Sequence, residues 1–286
     1  MRDIRDILVA VDLGPGSAGA LAEGLRVARA FGARLRVLHV IPLKAVPEFG
    51  DDEAGRSAPA RRLGGLLARE LPSPPPESIL RVGEPSRELL AAVGELRPDL
   101  VVLGVRSRSA LDLLLRGSRV ERAIRESPVP VWVAQPRRAR SIRRVLCGVD
   151  PARGAEEEVA AAVAVARRFG ARLDLVRVLD GPDADLAAAR RELRDLAARA
   201  PSGGLRIETL VWGGGRRECL VTAAEVRDVD LLVLGCAGRR GLARWLRGNL
   251  AEEVVRRVAC SLLVVPVAAP DALPRSQATQ RAVLPG

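Results

Sequence analysis

Tyrosine is absent from the 286-residue chain, and phenylalanine and tryptophan number three each. Aromatics make up only 2% of residues, so any core has to be filled by Val, Leu, Ile and Ala, for which a 48% hydrophobic content supplies the material. The apolar stretches all fall well short of the roughly 20 residues a membrane-crossing helix needs. The opening MRDIRDILVAVD carries charges and runs straight into a strand pattern, so no secretory signal is expected and the expected location is the cytoplasm. Cysteine is missing from the first half: Cys147, Cys219, Cys236 and Cys260 are scattered through the second. That distribution excludes a disulfide scaffold and suits small buried hydrophobes in a reducing compartment.

Catalytic equipment is equally thin. His39 is the single histidine, near the end of a strand-like run, where a structural or pocket-wall role is expected. No cluster of His, Cys and acids has metal-ligand spacing. No pair of acids is identifiable as a general acid and base. Lys44 is the only lysine, so no Walker A lysine accompanies any glycine loop and a P-loop nucleotidase is excluded. The net charge of +11 is therefore almost entirely arginine, spread over both halves and interrupted by acids. Ala, Gly, Pro and Arg are abundant together, a bias that a GC-rich coding sequence produces without functional demand. Weak, salt-sensitive attraction to polyanions is expected, and specific nucleic-acid binding is not.

What is present is a repeat. Asp99–Ser118 reads DLVVLGVRSRSALDLLLRGS and Asp230–Asn249 reads DLLVLGCAGRRGLARWLRGN. In both, an apolar run breaks at glycine (Gly104, Gly235), and a second glycine follows thirteen residues later (Gly117, Gly248). The beginnings of the halves match at a constant offset of 138: Ile7–Val11 ending at Asp12 against Val145–Val149 ending at Asp150, and FGARL at both Phe31–Leu35 and Phe169–Leu173. Duplication of this length in a 286-residue chain indicates two domains.

The periodicity within each half alternates between strand and helix. The spacing of Leu21, Leu25, Ala28 and Phe31 predicts a helix over about residues 18–30, and Val159, Val163, Ala166 and Phe169 predict its counterpart. Gly32 and Gly170 stop them. Second strands are expected at Leu35–Ile41 and Leu173–Leu179, third at Ile79–Val82 and Arg206–Val211, and fifth at Val131–Ala134 and Leu262–Val265. Residues 42–60 read as a loop or insert followed by a short helix at Ala60–Glu70, whereas Asp185–Ala200 reads as a full helix. Third helices are expected at Ser86–Leu96 and Arg216–Val226, and fourth helices after Gly117 and Gly248. Apolar strands alternating with amphipathic helices call for α/β domains, each a five-stranded, mostly parallel sheet covered on both faces. The expected units are residues 1–136 and 141–268, divided near PRRARS, with 269–286 as a loose tail.

Ligands in open parallel sheets collect beyond the carboxyl ends of strands where the winding reverses. Asp12 and Gly104 end the first and fourth strands of one half; Asp150 and Gly235 end those of the other. If these strands are neighbours, each half acquires an acid able to accept from ribose hydroxyls beside a loop able to hold phosphate through backbone N–H groups. Ser118 and Asn249 add polar groups at the following helix starts. Simpler roles also fit: the aspartates as turn formers, the glycines as sites of tight turning, Ser118 and Asn249 as N-caps. Gly14, Gly16 and Gly19 have G-x-G-x-x-G spacing, but Asp12 separates them from the strand and the second strand ends without an acid, so a nicotinamide site is not supported.

At these residues the chain resembles the universal stress proteins in their tandem two-domain form. The resemblance covers about residues 4–268 and implies an adenine-nucleotide alpha-hydrolase-like fold with strand order 3-2-1-4-5. The family's nucleotide signature, G-x-x-G, nine residues, then G-S or G-T, falls on Gly104, Ser107, Gly117 and Ser118, and on Gly235, Gly238, Gly248 and Asn249. The family's strand-ending Asp falls on Asp12 and Asp150. The "LHV" whose backbone meets adenine falls on Leu38–Val40 and on Arg177–Leu179, placing Val40 and Val178 in the site. Gly83-Glu84-Pro85 matches the turn after the third strand, where the second half has Gly213-Gly214-Gly215. Ser107 replaces a signature glycine and Asn249 a hydroxyl residue, so the second half retains more of the site.

The resemblance implies binding of ATP or another adenine nucleotide, with Mg accompanying the phosphates and little or no catalysis. It also implies pairing of the halves through their last strands as an internal pseudo-dimer, with homodimerisation compatible and a protein partner unidentified. A nucleotide-free interaction scaffold with degenerate sites is the alternative.

Overall fold

The computed structural model describes residues 3–43, 53–104, 127–135, 141–150, 155–179, 181, 185–237 and 258–267. The first half contributes β1 (Asp6–Val11), α1 (Ser17–Phe31), β2 (Arg34–Pro42), α2 (Glu53–Glu70), β3 (Glu77–Gly83), α3 (Pro85–Leu96), β4 (Leu100–Gly104) and β5 (Val131–Ala134). The second contributes β6 (Arg144–Gly148), α4 (Glu156–Phe169), β7 (Arg172–Leu179), α5 (Leu186–Arg199), β8 (Ile207–Gly213), α6 (Arg216–Val226), β9 (Leu231–Ala237) and β10 (Ser261–Val267). The fourth helices expected after Gly117 and Gly248 lie outside the described residues.

Local signals account for the helix ends. Gly32 and Gly170 take left-handed φ of 67° and 63°, and each returns its N–H to the last turn of the helix before it. A side chain bearing Cβ is strained there, so the two FGARL segments stop their helices for the same reason. α1 buries Leu21 and Ala28 and half-buries Leu25 and Phe31, the stripe its spacing implies.

The segment before Ala60 departs from expectation. Pro, Gly and acids there suggested a loop, but α2 begins at Glu53 and runs through Pro59. A proline inside a helix removes one N–H donor. Leu63, Leu67 and Leu71 offset that loss by burying one side of the helix and its end in the core with Leu21 and Val27.

The strands form one ten-stranded sheet in the order β3-β2-β1-β4-β5-β10-β9-β6-β7-β8. Each half thus has the order 3-2-1-4-5, and every neighbour within a half is parallel. The two open sheets expected from the sequence are joined: β5 and β10 pair antiparallel, with Val131, Trp132 and Val133 opposite Val264, Leu263 and Leu262. Strand alternation sends Ile7, Val9 and Val11 to one face and Leu8 to the other. The first face carries α1, α2, α4 and α5; the second carries α3 and α6, with Leu89, Val93, Leu220 and Ala224 facing Leu8, Val101, Leu146 and Leu232. Both apolar layers run across the junction.

That junction also contains a buried polar cluster. Trp132 donates its indole N–H to Glu23 Oε1 at 3.0 Å, and Ser261 donates its hydroxyl to the same oxygen at 3.2 Å. Arg26 forms an ion pair with Glu23. Arg168 of α4 lies over the ring of Phe31, 5.6 Å from its centre, adding a cation–π contact between halves. Among the described residues no helix is long and apolar enough to cross a membrane.

Candidate functional site

The strand order brings the matched residues together as required. β1 lies between β2 and β4, so Asp12 follows a strand flanked by those carrying Val40 and Gly104. β6 lies between β7 and β9, placing Asp150 after a strand flanked by those carrying Val178 and Gly235. A cleft of about 210 Å³ opens in the second half, lined by Gly148, Asp150, Arg177, Val178, Arg216 and Leu220 among others. Gly238, Gly248 and Asn249, and in the first half Ser107, Gly117 and Ser118, lie outside the described residues.

The two aspartates are held differently. Asp12 Oδ1 accepts from the Gly14 N–H at 2.8 Å and from the Ser17 hydroxyl at 3.1 Å, which is the turn-forming role of an Asp after a strand. Asp150 Oδ2 instead accepts from Arg216 Nη1 at 3.2 Å, across the cleft from α6. Arg216 begins α6, where the positive end of the helix disfavours a cation; pairing with Asp150 offsets this. The first half has no equivalent arginine. Its Gly-Glu-Pro turn places Glu84 as N-cap of α3, accepting from the Ser86 and Arg87 N–H groups at 3.1 Å each. The Gly-Gly-Gly turn of the second half ends in Gly215, which caps α6 with no side chain and leaves Arg216 next in line.

Gly104 ends β4 as expected, whereas β9 runs on past Gly235 to Ala237, and both glycines are needed for close approach. A Cβ on Gly104 would lie 2.6 Å from the Gly16 carbonyl oxygen and 2.9 Å from the Ala20 methyl, so β4 ends hard against the start of α1. A Cβ on Gly235 would lie 2.3 Å from Glu158 Oε2. Glu158 and Ala20 occupy the same place in the repeat, 138 residues apart. The second half thus replaces a methyl with a buried carboxyl beside the matching strand glycine. Glu158 is 5% exposed, and its Oε2 has no hydrogen-bond partner among the described residues. Burial, with added repulsion from Asp150, Glu157 and Glu156, pushes its pKa up to about 8.

His39 is buried, with Nδ1 2.9 Å from the Val11 carbonyl oxygen, which fits the structural role expected of it. Its counterpart Arg177 lines the cleft and pairs with Glu192 of α5. Cys147 is fully buried beside Glu158, and burial raises its thiol well above the ordinary range, leaving it uncharged and unreactive. No group of three or more potential metal ligands occurs among the described residues. Sequence reasoning missed Arg216 and Glu158. The available signals were an arginine at the start of a helix and the triplet Glu156–Glu158 where the first half has Ala18-Gly19-Ala20.

This site and repeat coincide with a family description that matches the chain twice: the universal stress protein family, over residues 3–135 and again over 141–266. The chain belongs to that family. Universal stress proteins of Mycobacterium bovis and Mycobacterium tuberculosis are each 29% identical to it over 202 residues, 63% of this chain and 68% of theirs. One from Thermus aquaticus is 34% identical over 138 residues, 46% of this chain and 98% of its own. Among solved structures, a universal stress protein from Archaeoglobus fulgidus superposes with a TM-score of 0.72 at 20% identity, covering 93% of this chain and 97% of that one. The universal stress fold is therefore present along nearly the whole chain, with its two copies joined through β5 and β10.

Proposed function

We propose that this universal stress protein binds an adenine nucleotide at the carboxyl ends of its strands and acts as a sensor with little or no turnover. The carrying observation is the second-half cleft, where Asp150 and Val178 line one concavity and Gly235 lies on the neighbouring strand. In this reading adenine lies against the β7 backbone near Val178, Asp150 accepts from ribose, and the phosphates extend toward Gly235, Gly238, Gly248 and Asn249. Asp12, Val40, Gly104, Ser107, Gly117 and Ser118 are the first-half counterparts. Mg accompanies the phosphates, and no protein ligand is assigned to it. The functional units are residues 1–136 and 141–268, with 269–286 as a tail, and the setting is the cytoplasm.

Isothermal titration of dialysed protein with ATP, ADP, AMP and cyclic AMP tests the reading. Mass spectrometry of ligand released on denaturation guards against a retained nucleotide. Saturable heat or a released adenine nucleotide supports it. Neither heat nor released nucleotide returns the protein to the scaffold reading.

A further inference from the structure

We propose that Arg216 makes the second cleft selective for adenine nucleotides that carry a phosphate on a ribose hydroxyl. Its guanidinium donates to that phosphate, and Asp150 accepts from the hydroxyl left free. The inference rests on the nucleotide reading above and names the class of nucleotide that one of the two halves takes.

The cleft itself supplies the groups. Asp150, Arg177 and Arg216 are the charged residues of its lining, and Val176, Val178 and Leu220 give it an apolar wall. Asp150 Oδ2 accepts from Arg216 Nη1 at 3.2 Å, and both side chains are partly exposed, so the pair stands where a ligand in the cleft can meet it. Arg177 is held by Glu192 of α5, a half-exposed partner. Glu218, the acid of the first turn of α6, lies against Gly215 and is not part of the lining. A guanidinium bonded to the ribose acceptor is within reach of whatever the ribose hydroxyls carry.

Chemistry decides which ligand these groups suit. A free ribose diol offers two hydroxyl donors, and a carboxylate alone accepts both. A phosphate ester offers acceptor oxygens and negative charge, which a carboxylate repels and a guanidinium binds through paired N–H donors. Dinucleotide sites divide in the same way: an acid reads a ribose 2′-hydroxyl, and an arginine accommodates a 2′-phosphate. In the second cleft Arg216 offsets the charge of Asp150, and with Arg177 the lining holds two cations against one anion. The first half is built differently. There α3 opens on Pro85 where α6 opens on Arg216, and His39 stands in the place of Arg177. Asp12 is thus the acid of a diol reader, and the two halves take different nucleotides.

The test is calorimetric titration of the full chain, at about 0.15 M salt to screen diffuse charge, with AMP, adenosine 2′,5′-bisphosphate and adenosine 3′,5′-bisphosphate. Circular dichroism confirms the fold of each variant. One of the bisphosphates should bind about tenfold tighter than AMP or better, and its identity shows which hydroxyl faces Arg216. Arg216→Gln should remove that preference, weakening the bisphosphate about tenfold while AMP changes by no more than about threefold. Arg216→Lys keeps the charge and should retain part of the preference. Arg194→Gln, on the exposed side of α5, should leave both affinities unchanged. Equal wild-type affinity for AMP and both bisphosphates overturns the inference while leaving nucleotide binding intact. So does an equal loss of AMP and bisphosphate in Arg216→Gln, or a loss of the preference in Arg194→Gln. Absence of binding by ATP, AMP and both bisphosphates overturns the nucleotide reading and the inference with it.

Discussion

Asp12 and Asp150 occupy the same position in the repeat, yet the first closes its own turn while the second reaches across the cleft to Arg216. Substituting Asp150→Ala should weaken nucleotide binding by about 1–3 kcal/mol through loss of the ribose acceptor, measured by calorimetric titration. Glu158 carries a second prediction, for stability. Its folded pKa of about 8 lies above the ordinary 4.5, so the folded state retains a proton that the unfolded chain releases. The associated stability is fully present below about pH 4.5 and is lost as the pH rises through about 8. Urea titrations of wild type and Glu158→Gln should differ in their pH dependence over that window by roughly 5 kcal/mol. Glu23 is also raised, chiefly by burial, and adds a term of the same sign that the Gln variant retains.

At the scale of elements, α3 and α6 begin after matched turns but with unequal caps. Removing the α3 cap with Glu84→Ala should cost about 1 kcal/mol in a denaturation experiment, because two N–H groups lose their acceptor. The strands, the FGARL helix stops and the strand-ending residues were legible in the sequence because each follows from local periodicity or backbone geometry. The start of α2 was not: Pro59 and the neighbouring acids and glycines argue locally for a loop, and only burial of Leu63 and Leu67 in the tertiary core overrides them. For the candidate site, what was legible is the placement of its strand-borne residues. Asp150 follows β6, Val178 lies next to the end of β7 and Gly235 lies near the end of β9, so strand order alone places them on neighbouring strands. Arg216 reaches the cleft from α6 and Glu158 packs beside Gly235 from α4, and lateral packing of that kind leaves no spacing signature.

For the whole molecule, the junction between halves decides cooperativity. Glu23 accepts from Trp132 of one half and Ser261 of the other, whereas its repeat counterpart is Ala161. Replacing it with alanine leaves a buried indole N–H and a hydroxyl without that acceptor. Glu23→Ala should therefore destabilise the chain by about 1–3 kcal/mol in urea unfolding. Continuous apolar layers on both faces of the sheet should make the two halves unfold together, so loss in one should be felt in the other.

The antiparallel pairing of β5 with β10 has a directional consequence. All strands of one half point one way across the sheet and all strands of the other point back, so their carboxyl ends emerge on opposite rims. The candidate sites therefore face away from each other, and a compact ligand cannot span them. A protein docking on one rim would register the occupancy of one site alone. On the nucleotide reading, the molecule would be a two-terminal device, with a separate ligand state at each end.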